Sequence, residues 1–139
     1  MEITANALQT VGANQNVLFT DTVVCGNCSI LHRDGSGLVT LRGITNQCRA
    51  RFKVSFGGNI AIPTGGTVEA ISLAIAVNGE PVAATTVIET PAAVEEFSNV
   101  FTAIYLDVPV NCCYQISVTN ISTQTINVQN ANLIIERVA

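Results

Sequence analysis

Charge is what this sequence has least of. Asp, Glu, Lys and Arg together make up 12% of its 139 residues, about half the usual share, and Asn and Thr supply most of the polarity instead. A monomer normally covers itself with charged side chains, so a chain this poor in them is expected to hide part of its outer surface against copies of itself. Six basic residues against ten acidic ones leave a net charge of −4 and a pI near 4.7. That balance cannot neutralise a phosphate backbone, which excludes nucleic acid as the partner. Long apolar runs are missing too: nothing approaches the roughly 18 residues of a membrane helix, so no membrane partner is expected. The opening Met1, Glu2, Ile3 and Thr4 lacks the basic start and apolar core of a secretory signal, so a role outside a cell is expected to be reached without one. Internal repeats, low-complexity tracts and linkers are absent, which predicts one domain over residues 1–139. Helical periodicity is equally scarce. Residues 90–97, with Pro91 at a first helical position and Glu95 and Glu96 following, have room for a single turn.

What is present is alternation with period two. Residues 8–11, 16–20, 29–31 and 38–41 are short candidate strands bounded by Gly, Asn or Asp. The clearest strand covers 48–56, where Ala50, Phe52, Val54 and Phe56 face one way and Arg49, Arg51, Lys53 and Ser55 the other. Residues 68–77 lead through Asn78-Gly79 into 81–88, and Asn-Gly between apolar runs predicts a hairpin because both residues accept positive φ. Residues 97–108, 113–120, 125–128 and 133–138 complete the set. About ten short antiparallel strands with even spacing predict an all-β fold, a jelly-roll β-sandwich in preference to a barrel. Gly57-Gly58 and Gly65-Gly66 read as turns, with no helix following to bind phosphate.

Five cysteines, Cys25, Cys28, Cys48, Cys112 and Cys113, form an odd set, so at least one stays free or pairs between chains. Cys25, Cys28, His32 and Cys48 are the ligand types that zinc selects, which defines a zinc-binding alternative. Redox use of Cys25 and Cys28 would want a helix after the motif, and the surroundings are β. Cys112 and Cys113, neighbours in a strand, point to opposite faces, one toward the core and one toward a neighbouring strand or subunit. His32, Arg33 and Asp34 bring an imidazole and a carboxylate near Ser29, Ser36 and Cys28, with no nucleophile elbow to activate any of them. Glu95 and Glu96 diverge as sequence neighbours and read as a solvated loop rather than a two-acid hydrolytic pair. No catalytic residue, resident metal or cofactor is therefore expected. Asn27-Cys28-Ser29 and Asn120-Ile121-Ser122 match the glycan acceptor pattern without a secretory context. The basic face of Arg49, Arg51 and Lys53 is the one polar cluster that suggests a binding surface, and it is equally compatible with plain solvation or with lining an oligomer axis.

Several segments carry a resemblance. Leu8-Gln9-Thr10-Val11 followed by Asn16-Val17-Leu18-Phe19, the central Ile60-Ala61-Ile62-Pro63-Thr64-Gly65-Gly66-Thr67-Val68, the turn Leu73-Ala74-Ile75-Ala76-Val77-Asn78-Gly79 and the closing Asn132-Leu133-Ile134-Ile135-Glu136-Arg137 resemble the carboxy-terminal jelly-roll of bacterial collagen-like surface proteins. That fold is similar to tumour necrosis factor and complement trimers. No Gly-x-y stalk precedes the matching region, and the cysteines depart from the pattern. Stand-alone versions look similar to small phage proteins that decorate capsids or form head fibres. The resemblance implies a homotrimer on a particle surface, foremost a virion assembled in the host cytoplasm with the capsid as partner. The alternative it implies is a spore- or cell-surface domain that recognises a glycan or protein.

Overall fold

The computed structural model describes residues 1–139. Twelve strands form in chain order: β1 (Glu2–Ala5), β2 (Gln9–Val11), β3 (Asp21–Val24), β4 (Ile30–His32), β5 (Val39–Arg42) and β6 (Arg49–Ala61) come first. They are followed by β7 (Ile71–Val77), β8 (Glu80–Pro81), β9 (Val87–Glu89), β10 (Ser98–Pro109), β11 (Cys113–Asn120) and β12 (Ile126–Arg137). They make two antiparallel six-stranded sheets. The first runs β10-β6-β12-β1-β3 with β2 also on β12, and the second runs β4-β5-β11-β7-β8 with β9 also on β7. Most successive strands lie in opposite sheets, which is the jelly-roll sandwich that the alternation predicts.

β6 organises the first sheet. Its register gives every second residue to the interior, so Ala50, Phe52, Val54, Phe56 and Ile60 have no exposed surface at all. These join one apolar core that runs between the sheets from Ile3 to Ile135. Truncating a buried Phe such as Phe56 to Ala typically costs about 3–5 kcal/mol. The Asn78-Gly79 turn closes a hairpin with Val77 opposite Glu80, and both turn residues take positive φ, 52° and 85°.

The structure corrects several expectations. The expected set of about ten strands stands, with β1 and β3 added near the amino terminus, where no strand was expected. Residues 16–20 form no strand. Val17 and Phe19 are fully buried as the alternation demands, yet the segment makes only one bridge, Asn16 to Thr119. Residues 81–88 split around a 3-10 turn, Ala83–Thr85. There the Thr85 hydroxyl accepts from the Ile75 N–H at 2.9 Å and donates to the Val82 carbonyl at 2.7 Å, taking over one rung of the ladder. Residues 125–128 and 133–138 belong to a single strand, β12, interrupted by a bulge at Gln129–Asn132 where Asn130 has φ 54°. The turn of helix at 90–97 does not form; Glu95 instead takes φ 60° and donates its N–H to the Ile62 carbonyl at 2.7 Å. Gly57-Gly58 is not a turn but lies inside β6, with the exposed Phe101 ring beside Gly57.

A buried amide ties the far ends of the chain together. Asn120 is fully buried. Its Nδ2 donates to the carbonyls of Gln124 at 2.9 Å and Val11 at 3.0 Å, with Gly12 sharing at 3.2 Å, while its Oδ1 accepts from the Ser122 N–H at 2.9 Å. An acceptor asparagine must be exposed, so the second glycan motif is structural. Asn120→Ala leaves several buried backbone groups unpaired at about 1–3 kcal/mol each. Urea unfolding is expected to show a loss of about 3 kcal/mol, and a loss under about 1 kcal/mol would contradict this role.

Candidate functional site at the cysteine-bearing end

All five thiols gather at one end of the sandwich, where β5, β10 and β12 finish and β6 and β11 begin. The loops there are sewn to one another by backbone bonds. Gly43 N–H reaches Cys112 O at 2.8 Å, Val110 N–H reaches Cys48 O at 3.0 Å, and Arg42 N–H reaches Ser29 O at 2.8 Å. Gly43 is obligatory: a Cβ at that position would stand 2.0 Å from the Pro109 carbonyl oxygen. All five cysteines are free; Cys25, Cys28, Cys48 and Cys113 are exposed and Cys112 is half-buried. Cys112 packs against the core, and Cys113 pairs in register with Arg42.

A cleft of about 710 Å³ opens between these loops, walled by Arg42, residues 43–47, Asn111, Cys112, Cys113 and Arg137. Arg137 is anchored: its Nη1 donates to Ile44 O at 2.6 Å and Ser29 Oγ at 3.3 Å, and its Nε donates to Ala139 O at 3.2 Å. Arg42 Nη1 donates to Cys28 O at 3.3 Å. Neither arginine was singled out by the sequence, because only strand pairing brings positions 42 and 137 to one wall.

The zinc alternative does not assemble. Cys25, Cys28, His32 and Asp34 line a separate shallow cleft of about 510 Å³ that Cys48 does not reach, and no group of three or more His, Cys, Asp or Glu side chains is placed to hold a metal ion. The His32 side chain is fully buried. Its Nε2 lies 3.0 Å from the Ser36 carbonyl, which can only accept, so Nε2 carries the proton. Nδ1 has no hydrogen-bond partner and stands 3.8 Å from Asp34 Oδ1. The hydroxyls of Ser29 and Ser36 serve Arg137 and the Leu38 N–H respectively, so neither is joined to the imidazole as a nucleophile. Glu95 bonds the Thr64 hydroxyl in an exposed loop.

The face of Arg49, Arg51 and Lys53 lies on the outside of β6, as the alternation predicts, and its two arginines share one carboxylate, Asp107. Arg51 holds Asp107 with two bonds, Nε to Oδ1 at 2.7 Å and Nη2 to Oδ2 at 3.1 Å, and Arg49 Nε stands 3.3 Å from the same carboxylate. The bond from Arg51 holds the Asp107 carboxyl below the ordinary carboxylate range, aided by the charges of Arg49 and Arg51 and opposed by desolvation. Lys53 sits between Tyr105 and Glu136. Around this ion-paired row the outer face is apolar: Phe101 is 66% exposed, Tyr105 61% and Ile134 42%, with Ala103, Ser55 and Ile134 side by side across β10, β6 and β12.

No family model matches the sequence, and no curated protein does. Among solved structures, the chain is similar to the globular domain of zebrafish complement 1qA protein, with a TM-score of 0.55 and 10% identity over 96% of this chain and 93% of that one. A family 35 carbohydrate-binding module from an environmental isolate gives a TM-score of 0.41 at 11% identity, covering 100% and 98% of the two chains. The similarity to the complement domain shows the shared jelly-roll fold and, at that identity, nothing further. No helix is long and apolar enough to cross a membrane.

Asp107 supplies a pH test. A carboxyl with a lowered folded-state value contributes stability that is present above its unfolded value and lost as pH falls through the folded one. The NMR titration midpoint of Asp107 is expected below that of a free aspartate, returning upward in Arg51→Ala; an unmoved midpoint in the variant would break the assignment. In the native protein four thiols are expected to react quickly with a disulfide reagent while Cys112 lags, as quantified by mass spectrometry.

Proposed function

We propose that the chain is a non-catalytic structural protein that assembles as a homotrimer on a particle surface, foremost a phage virion built in the host cytoplasm and carrying it on the capsid. The outer face of the first sheet carries this reading. It presents Phe101, Tyr105 and Ile134 to solvent beside two arginines that share the Asp107 carboxylate, so a copy covering the apolar part of the face meets arginines that already have a partner. The same patch follows from the low charge of the whole chain. The fold shared with the complement domain supports a surface module, and the resemblance to phage and bacterial surface jelly-rolls supports the particle. A spore or cell surface is the alternative site for the same assembly.

Sedimentation at micromolar concentration is expected to give three times the 14.6 kDa chain mass. Phe101→Ser with Tyr105→Ser is expected to give folded monomer, and a monomeric wild type would overturn the trimer. Proteomics of purified virions reads the location: presence in stoichiometric amount supports the capsid role, and absence from particles removes it.

A further inference from the structure

We propose that the cleft between Arg42 and Arg137 binds an anionic glycan, with the sugar carboxylate held by the two guanidinium groups. The site is distinct from the outer face and holds whether or not the chain is trimeric. The arginine ion pairs of the molecule join Asp107 to Arg49 and Arg51; none includes Arg42 or Arg137. Arg137 is nevertheless held by the Ile44 carbonyl, the main-chain oxygen of Ala139 and the Ser29 hydroxyl, and Arg42 by the Cys28 carbonyl. Each guanidinium has five N–H donors, so the Nη2 groups of both and Nε of Arg42 remain free. Two anchored cations with unused donors form a preorganised receptor for a planar carboxylate, the geometry that arginine reads best.

The remaining lining selects among anions. No Asp or Glu lines the cleft, so no acidic side chain of the wall repels an acid. Thr45, Asn46, Gln47 and Asn111 contribute neutral donors and acceptors suited to hydroxyls. The volume of about 710 Å³ lies within the range of small-ligand sites and far exceeds what a bare phosphate fills. A protein partner would want an aromatic or aliphatic anchor pocket, and the wall has no aromatic residue and one aliphatic side chain, Ile44. Without an aromatic platform for a sugar ring, charge must supply the affinity, so binding has to weaken with salt.

The test is titration of sialyllactose, digalacturonate and neutral lactose into the 15N-labelled full chain, with inorganic phosphate and a short oligoglutamate as controls. Sialyllactose or digalacturonate is expected to shift the resonances of residues 43–47 and Asn111, while lactose shifts none. Arg42→Gln, with folding verified by its amide spectrum, is expected to weaken binding at least tenfold, and raising salt from 50 to 500 mM to weaken it severalfold. Binding by neither acidic sugar, equal binding of lactose, or unchanged affinity in Arg42→Gln overturns the proposal. Phosphate bound as tightly as the sugars reduces the cleft to a bare anion site and also overturns it, and tighter oligoglutamate binding does so in favour of a protein partner.

Discussion

Strand β6 cannot slip by one residue, and the rest of the molecule depends on that. A slip would turn Ala50, Phe52, Val54 and Phe56 outward and carry Arg49, Arg51 and Lys53 into the core, burying charges without partners. With the register fixed, both neighbours are fixed too. β10 pairs along the whole length from Ser98 opposite Ile60 to Pro109 opposite Arg49, and β12 follows on the other side. Asp107 thereby lands opposite Arg51, Tyr105 opposite Lys53 and Phe101 opposite Gly57. The ion-paired row and the apolar patch of the outer face are consequences of one strand's alternation.

The same register sets the end of the sandwich. Because most successive strands change sheets, each end collects loops from distant parts of the sequence. The 43–48 loop enters β6, the 110–112 turn leaves β10, and β12 delivers Arg137 between them. Their packing is tight where the chain crosses itself, which is why position 43 has no room for a side chain. The end is stabilised by backbone hydrogen bonds and by guanidinium groups on carbonyls rather than by disulfides, although five thiols stand there.

The parts of this architecture that were legible in the sequence are those governed by local pattern. Alternation located β6, β7, β10 and β11, and Asn78-Gly79 announced its hairpin through the φ it tolerates. Pairing was not legible: Val17 and Phe19 alternate as a strand would, yet they pack into the core with a single bridge, because whether a partner lies alongside is decided elsewhere in the chain. The bulge in β12 was hidden for the same reason, since Asn130 reads as a turn residue until both flanks are seen to share one neighbour. Of the candidate sites, the outward direction of Arg49, Arg51 and Lys53 was visible and the pairing of the two arginines with Asp107 was not. The cysteine spacing invited a metal reading, and the fold converges no three such side chains, with Cys48 outside the cleft that Cys25, Cys28 and His32 line. The Arg42 and Arg137 wall has no local signature at all.

The outer face and the cysteine-bearing end are different surfaces, and symmetry relates their uses. A cyclic trimer places equivalent points of its three subunits at one height along its axis. Three clefts would therefore open on the same side, as would three sets of thiols, while the apolar faces are consumed between subunits. A charge-driven cleft lacking an aromatic platform is weak by itself. Repeated three times on one side of the proposed trimer, it would gain avidity of about 10²–10⁴-fold without any new contact. The two proposals would then support each other, since assembly through β10 would make a weak site at the strand ends sufficient.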